Sequence, residues 1–195
     1  MNIIKLIKSN IGSVILSMIV LLLVFNPTSK AFVMTSLMKI GLFQPRINKA
    51  IEKENQTYLP GNIAFADTNG KLINASEQKG KVLFINFWAT WCPPCIAEMP
   101  SINKVYNKFK DNKDVVFLMV DVDGNTKKSV KFMERKKYEL PVYIPASAIP
   151  SSILDGSIPT TLIVDKKGKI VFKHKGGADY SNEDFVKFLE GLTKS

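Results

Sequence analysis

The two cysteines of this chain, Cys92 and Cys95, are separated by two residues in the sequence Trp-Cys-Pro-Pro-Cys. Two cysteines are too few for a disulfide scaffold in a chain of 195 residues, and a two-residue gap is typical of cysteines that are oxidised and reduced in a reaction. A zinc site needs about four ligands, and the single histidine, His174, is the only other good candidate. We therefore expect redox chemistry, with no metal and no cofactor beyond the disulfide itself.

The surroundings of the cysteines predict how they divide this chemistry. Cys92 and Cys95 follow residues 81–88 (KVLFINFW), a continuous apolar run that indicates a central strand covered on both faces. Apolar residues then recur at nearly helical spacing over residues 94–110. Cys92 should lie at the helix N-terminus, where free N–H groups and the helix dipole favour a thiolate. We predict that Cys92 is the nucleophile and that Cys95, one turn further, resolves a mixed disulfide.

The rest of residues 60–195 alternates strands and helices. An Asn-Gly or Lys-Gly turn between apolar runs predicts a hairpin near each end of this domain. The strands are expected at 63–67, 71–73, 81–88, 114–121, 141–144, 161–164 and 169–173. The helices after the cysteines are expected at 94–110, 126–138 and from the N-cap Ser181 to about 192. Two strand–helix–strand crossings indicate a partly parallel sheet with helices on both faces.

The N-terminal residues predict a membrane anchor. Residues 11–25 carry no charge, and a helix over residues 3–25 would be roughly 34 Å long, enough for a hydrocarbon core of about 30 Å if Lys5 and Lys8 reach the interface. We therefore predict a transmembrane helix within residues 1–26 that contacts the lipid bilayer. The alternative is a cleaved signal peptide with a site at residues 29–31.

Residues 27–59 are expected to form an amphipathic helix and a linker. Asn26 and Pro27 predict the start of a helix that ends near residue 40. Most of its residues are apolar, and three alternatives stay open: it lies on the membrane surface, packs on a partner or docks on the soluble domain.

The lysines before the predicted span, Lys5 and Lys8, place the N-terminus in the cytoplasm by the positive-inside rule. Residues 60–195 would then lie on the periplasmic, extracytoplasmic side of the inner membrane, where a dithiol needs an electron source to stay reduced. The net charge of +10 does not indicate nucleic-acid binding, because clustered lysines such as Lys127 and Lys128 fall on a predicted solvated helix face.

The segment FINFWATWCPPCIAEMP, together with Ile158-Pro159-Thr160 further along the chain, resembles the TlpA/ResA-like branch of the thioredoxin superfamily. This branch consists of membrane-tethered, exported thiol-disulfide oxidoreductases. The resemblance implies a thioredoxin-like three-layer α/β fold over residues 60–195, with a mixed central sheet of four or five strands. It also implies that Cys92 is exposed, that Cys95 is buried, and that Pro159 is a cis-proline beside the disulfide. The backbone of Ile158 would then be free to pair with a substrate strand.

The neighbours of the cysteines complete the predicted site. Thioredoxins usually hold a buried Asp six residues before the first Cys, and Asn86 occupies that position here. Glu98 matches a Glu of the resembled branch and is predicted to accept the proton of Cys95. Alternatively, Glu98 takes no part in proton transfer, and its carboxylate only interacts favourably with the dipole at the helix N-terminus. Trp88 is expected in the core and His174 on the surface, whereas the predicted substrate groove is formed by Trp91, Pro93, Pro94, Ile158 and Pro159.

These predictions favour an anchored enzyme that reduces disulfides in exported proteins with electrons from a membrane donor. The same cysteines could oxidise or isomerise disulfides instead, because the reduction potential sets the direction. A non-enzymatic alternative is an anchored interaction module whose disulfide is structural.

Overall fold

The computed structural model describes residues 11–39, 41, 43–45 and 58–194. This part of the chain contains seven strands, five α-helices and a short 3-10 helix, Ala75–Glu77. The strands are β1 (Ala64–Asp67), β2 (Leu72–Asn74), β3 (Val82–Trp88), β4 (Val115–Asp121), β5 (Val142–Pro145), β6 (Thr160–Val164) and β7 (Ile170–Lys175). The helices are α1 (Ile11–Phe25), α2 (Pro27–Lys39), α3 (Pro93–Phe109), α4 (Thr126–Lys136) and α5 (Glu183–Lys194).

The strands form one mixed sheet in the order β2-β1-β5-β4-β3-β6-β7. Strand β4 pairs in parallel with β3 and with β5, and the remaining pairs are antiparallel. The predicted mixed sheet is therefore confirmed. The expectation of four or five strands is wrong, because the hairpin of β1 and β2 joins the sheet by pairing β1 with β5.

Strand β3 lies between β4 and β6, and all seven of its residues are buried. Its alternating side chains enter two hydrophobic clusters, as the two-residue period of a strand requires. Phe84 and Trp88 belong to the cluster that includes residues of α3, α4 and α5, and Phe87 belongs to the cluster that contains Phe65 and Ile153. Trp88 is completely buried, so its expected place in the core is confirmed. The end of β3 is thus a rigid support for the cysteines that follow it.

The first residue of α5 differs from the expected one. The Asn182 side-chain oxygen accepts a hydrogen bond from the backbone N–H of Phe185 at 2.9 Å, which makes Asn182 the N-cap. The predicted N-cap, Ser181, donates its hydroxyl to Asp179 Oδ1 at 2.7 Å instead. The prediction was wrong by one residue because two adjacent side chains can cap a helix, and Asp179 engages one of them.

The N-terminal helices α1 and α2 are separated by Asn26 alone. Helix α1 is uncharged and its side chains are largely exposed, but no helix in the described part of the chain is long and apolar enough to cross a membrane. Residues 3–10 of the predicted span lie outside the described residues.

Helix α2 docks on the soluble domain, which is one of the three alternatives that the sequence left open. Ala31 and Met38 are buried against Ala97 of α3, and the Thr35 hydroxyl donates to the backbone oxygen of Ala97 at 3.1 Å. The opposite side of α2 leaves Phe32 73% exposed. The helix therefore has one side on the domain and one apolar side that no described residue covers.

Candidate active site

The cysteines lie at the start of α3 and form a disulfide with an S–S distance of 2.05 Å. Cys92 is the N-cap, and its sulfur accepts a hydrogen bond from the backbone N–H of Cys95 at 3.3 Å. Pro93 and Pro94 have no N–H, so the Cys95 N–H is the first that the helix can offer. This single donor and the helix dipole are the local groups that favour a thiolate at Cys92.

The exposure of Cys92 differs from what the resemblance implied. Cys92 is only 2% exposed and Cys95 is fully buried, so the expectation of an exposed nucleophile is wrong for this oxidised form. The Cys92 sulfur is bonded to Cys95, and the residue belongs to the same buried cluster as Trp88 and Ala89. A partner must therefore gain access to this sulfur before it can react.

The peptide bond between Ile158 and Pro159 is cis, as the resemblance implied. Pro159 is buried just before β6, and its backbone oxygen accepts a hydrogen bond from Gly176 N–H at 2.9 Å. Among the described residues, no backbone group pairs with the N–H or the oxygen of Ile158. Ile158 is half-buried against the cluster that contains Cys92. Its backbone can therefore pair with an extended segment of a substrate.

Trp91 is 57% exposed beside Cys92, and the predicted groove residues Pro93 and Pro94 follow as the first residues of α3. The Trp91 indole N–H donates to Asp123 Oδ2 at 2.7 Å. Reasoning from the sequence missed Asp123 as a neighbour of the groove, although its place just after a buried strand is typical of residues at this edge of an α/β sheet. The indole is thus held in one orientation at the surface.

The loop that carries Asp123 is fixed by a buried carboxylate at the end of β4. Asp121 is 1% exposed and accepts hydrogen bonds from Asp123 N–H at 3.1 Å and from the Ser129 hydroxyl at 2.6 Å. A buried carboxyl group with several donors holds its neighbours firmly, since loss of these bonds would leave a buried polar group without a partner. The hydrogen bonds to Asp121 therefore fix the position of the loop from which Asp123 contacts Trp91.

Glu98 is fully buried, one helical turn after Cys95. Its Oε1 accepts a hydrogen bond from Asn86 Nδ2 at 2.8 Å, and its Oε2 accepts one from Ala178 N–H at 3.2 Å. Burial raises the pKa of Glu98 to about 8, although both hydrogen bonds act in the opposite direction. The carboxyl group is therefore mostly protonated at neutral pH and becomes a proton acceptor in the range where thiols ionise.

Asn86 connects Glu98 to the neighbouring strand. Its amide donates its second N–H to Thr161 Oγ1 at 2.9 Å. The phenol of Tyr180 is also fully buried, and burial together with the Glu98 carboxylate raises the pKa of Tyr180. The sequence singled out Asn86 and Glu98 separately, and the structure places them in one hydrogen-bonded pair. The apolar strand around Asn86 was the available signal, because a buried amide needs a polar partner.

His174 lies on β7, half-buried and stacked on Phe172 with ring centres 6.2 Å apart. Burial lowers the pKa of His174, which favours the neutral imidazole. The half-buried ring corrects the surface position that the sequence predicted, and its packing on Phe172 gives the histidine a structural contact.

A redox-active cysteine pair at a helix N-terminus, at the end of a central parallel strand and with a cis-proline at the start of the adjacent strand, defines a thiol-disulfide oxidoreductase. A family model described as Redoxin matches residues 53–187. The chain therefore belongs to the Redoxin family.

Individual relatives agree with this assignment. The chain is 37% identical over 154 residues to thiol-disulfide oxidoreductase ResA of Bacillus cereus, covering 78% of this chain and 84% of the relative. It is 35% identical over 133 residues to ResA of Geobacillus kaustophilus, covering 67% and 74%. The predicted membership of the ResA-like group is thus confirmed.

A solved structure supports the fold. The solution structure of a thiol:disulfide interchange protein from Bacteroides sp. matches with a TM-score of 0.57 and 25% identity, covering 72% of this chain and 91% of that one. The predicted thioredoxin-like α/β fold with a mixed sheet is confirmed.

Proposed function

We propose that this protein is a membrane-anchored reductase of disulfides in exported proteins. The observation that carries the proposal is the disulfide between Cys92 and Cys95 at the start of α3. In the reduced enzyme, the Cys92 thiolate attacks a substrate disulfide and forms a mixed disulfide. Cys95 then attacks Cys92, which releases the reduced substrate and restores the disulfide of the enzyme. A membrane electron donor reduces this disulfide for the next cycle.

The direction of electron flow is argued from the local charges. A strong disulfide oxidant needs a reduced form that is stabilised, as happens when the nucleophilic thiolate has strong electrostatic support. Within the described residues, no Lys, Arg or His side chain forms a hydrogen bond with either sulfur, and the N–H of Cys95 is the donor to Cys92. Glu98 adds an acidic group one turn away. This arrangement favours a low potential and therefore reduction of substrates.

We expect the reduction potential of the Cys92–Cys95 pair to lie below about −200 mV, nearer to the value of about −270 mV for thioredoxin than to about −120 mV for a strong oxidant. The measurement is equilibration of the purified full chain in glutathione and dithiothreitol buffers, followed by quenching and thiol counting. A potential near −120 mV would contradict the reductase and favour the alternative, an oxidase or isomerase of the same fold.

The anchor is proposed from residues 3–25. Residues 11–25 form the uncharged helix α1, whose exposed apolar side chains include Leu16 and Leu21. Such a surface is unstable in water and favourable in lipid. With Lys5 and Lys8 on the cytoplasmic side, the enzyme would be a single-pass protein of the inner membrane with its cysteines on the periplasmic, extracytoplasmic side.

The expected result is that the mature protein begins at Met1 and stays in the membrane fraction through washes with concentrated salt and with alkaline carbonate, because burial of about 20 apolar residues in lipid is insensitive to both. Fractionation followed by N-terminal sequencing of the product makes the measurement. A soluble product that starts near Phe32 would show that the segment is a cleaved signal peptide.

A further inference from the structure

Helix α2 packs on the active-site helix through Met38, which lies with Ala97 in one buried cluster. This methionine is 3% exposed. A Cβ placed on Gly177 would lie 2.7 Å from Met38 Cε and 3.0 Å from the backbone oxygen of Pro94. Gly177 thus leaves the space that the methionine occupies, and the end of the Met38 side chain lies near both Gly177 and the second proline of the Cys-Pro-Pro-Cys sequence.

This space belongs to the surroundings of the dithiol. Pro94 is the residue directly before Cys95, and Gly177 follows Gly176, whose N–H donates to the backbone oxygen of Pro159 at 2.9 Å. The short glycine segment therefore runs from the cis-proline to the first turn of α3. Met38 covers the part of this surface where the two segments meet.

Access to the disulfide is narrow because Cys92 packs in the cluster of Trp88 and Ala89, and Met38 lies in a separate cluster with Ala97 beside it. Cys92 is 2% exposed, yet a thiol that reduces the enzyme must approach the Cys92 sulfur in line with the S–S bond. A small thiol needs little space for this approach, whereas a protein thiol brings a large surface that must pack around the cysteines.

We propose that α2, through Met38, is a specificity-determining cover of the active site, which limits the approach of protein thiols and protein disulfides more than that of small thiols. The inference rests on the proposed function and adds a residue that selects among its partners. When α2 is docked, Met38 fills the surface between Pro94 and Gly177. When α2 leaves, this surface becomes available to a protein partner.

The contact is small enough to open. Its buried side chains are Ala31, Met38 and Ala97, with Met34 and Ile96 partly buried against them. The Thr35 hydroxyl is shared between the backbone oxygens of Ala31, at 2.8 Å, and Ala97, at 3.1 Å, and beyond the helix the Asp179 N–H donates to the Phe43 oxygen at 2.9 Å. Elements held by few buried apolar contacts open locally at low free energy. Since Asn26 alone separates α2 from α1, the position of the cover is also tied to that of the apolar helix α1.

The test compares two reductants of the oxidised full chain in detergent micelles, dithiothreitol and reduced thioredoxin. In each case a donor thiolate attacks Cys92 and releases the Cys95 thiolate. The second donor thiol then attacks the donor sulfur of the mixed disulfide, so that the donor ends as a disulfide and the enzyme as a dithiol. Samples are quenched with acid at successive times, and the free thiols are labelled with a maleimide of high mass. The fraction of enzyme with the shifted mass at each time gives the rate of enzyme reduction.

We expect Met38→Ala to raise the ratio of the thioredoxin rate to the dithiothreitol rate about 3-fold or more. Thr35→Val, which removes the hydrogen bond to Ala97 with little change of shape, should raise the ratio in the same direction. The matched control is Met18→Ala, the same change on α1, where the side chain is 56% exposed and the ratio should stay at the wild-type value. Circular dichroism melting checks that each variant is folded.

If the ratio of the thioredoxin rate to the dithiothreitol rate is unchanged or lower in both Met38→Ala and Thr35→Val, while the wild-type enzyme is reduced normally, the proposal that α2 covers the active site is wrong. The proposed function would not be affected by this result. An equal rise in Met18→Ala also overturns the cover, because that residue is not part of the contact. A wild-type disulfide that neither reductant opens contradicts the proposed function, and the inference falls with it.

Discussion

Replacement of Cys95 by serine is expected to trap mixed disulfides between Cys92 and its substrates, whereas replacement of Cys92 by serine is expected to trap none. The first variant keeps the nucleophile at the helix N-terminus, where Cys92 is the N-cap, and loses the thiol that resolves the intermediate. The second variant keeps only Cys95, which is fully buried. Both variants should lose multiple-turnover reduction by about 1,000-fold or more, since neither can complete the cycle.

The measurement is affinity purification under denaturing, non-reducing conditions after acid quenching, followed by release of trapped proteins with dithiothreitol. The variant with both cysteines replaced by serine is the control for non-covalent carry-over. Equal trapping by the two single variants would show that the cysteines are not divided into attacking and resolving thiols. Absence of trapping in both, with slow maleimide labelling of both reduced thiols, would favour a structural disulfide.

The chemistry and its support were predictable because they depend on local sequence. The uninterrupted apolar run of β3 indicates a strand that is buried on both faces, and all seven of its residues are buried. The dithiol after it, the prolines that begin α3 and the apolar spacing of that helix are also local patterns. Residues that are close in the chain determine these features, so the sequence alone was sufficient.

Contacts between distant segments were not predictable in this way. Met38 reaches Gly177 only because α2 docks on α3, and the sequence left that docking as one of three alternatives. The hydrogen bond between Asn86 and Glu98 joins a strand to a helix across 12 positions of the chain. The low exposure of Cys92 likewise depends on how the surrounding segments pack, and the family resemblance implied the opposite. Spacing along the chain does not encode such contacts.

Glu98 is where these two kinds of information meet. The sequence places it three positions after Cys95, on the same side of the helix, and the structure adds that its carboxyl group is fully buried and bonded to Asn86. Asn86 cannot accept a proton from Cys95 as a carboxylate would. Burial raises the pKa of Glu98 to about 8, which brings it much nearer to the range in which thiols ionise than the ordinary carboxyl value of about 4.3. Proton transfer between groups of similar pKa is efficient, so Glu98 suits the role of base.

The stability of the folded protein gives an independent check on this pKa. An unfolded glutamate ionises near a pH of about 4.3, whereas folded Glu98 keeps its proton up to about pH 8. Between these values the folded state binds a proton that the unfolded state has lost, so the free energy of unfolding falls as the pH rises and levels off above about pH 8. Urea unfolding of the oxidised protein should show this decrease, by about a few kcal/mol, and Glu98→Gln should remove most of it. A wild-type profile that is flat over this range would contradict the raised pKa.

We expect Glu98→Gln to leave the attack of Cys92 on a substrate disulfide largely unchanged and to slow the attack of Cys95 on the mixed disulfide by about 10-fold or more, the lower range for loss of a general base. Cys95 is buried, where desolvation opposes its ionisation, so its proton needs an acceptor nearby.

Loss of Glu98 has a competing electrostatic effect, because an ionised carboxylate repels a neighbouring thiolate, and removal of that repulsion would speed resolution. Stopped-flow measurement of both steps with a small aromatic disulfide from about pH 6 to 9 separates the two. Resolution in the wild-type enzyme should rise as Glu98 ionises near pH 8, and the variant should lose this part of the rise and keep only the part that follows ionisation of Cys95 itself. Resolution in the variant that is unchanged or faster across the range would reduce Glu98 to a carboxyl group that only pairs with Asn86, and the proton of Cys95 would have to leave by another route.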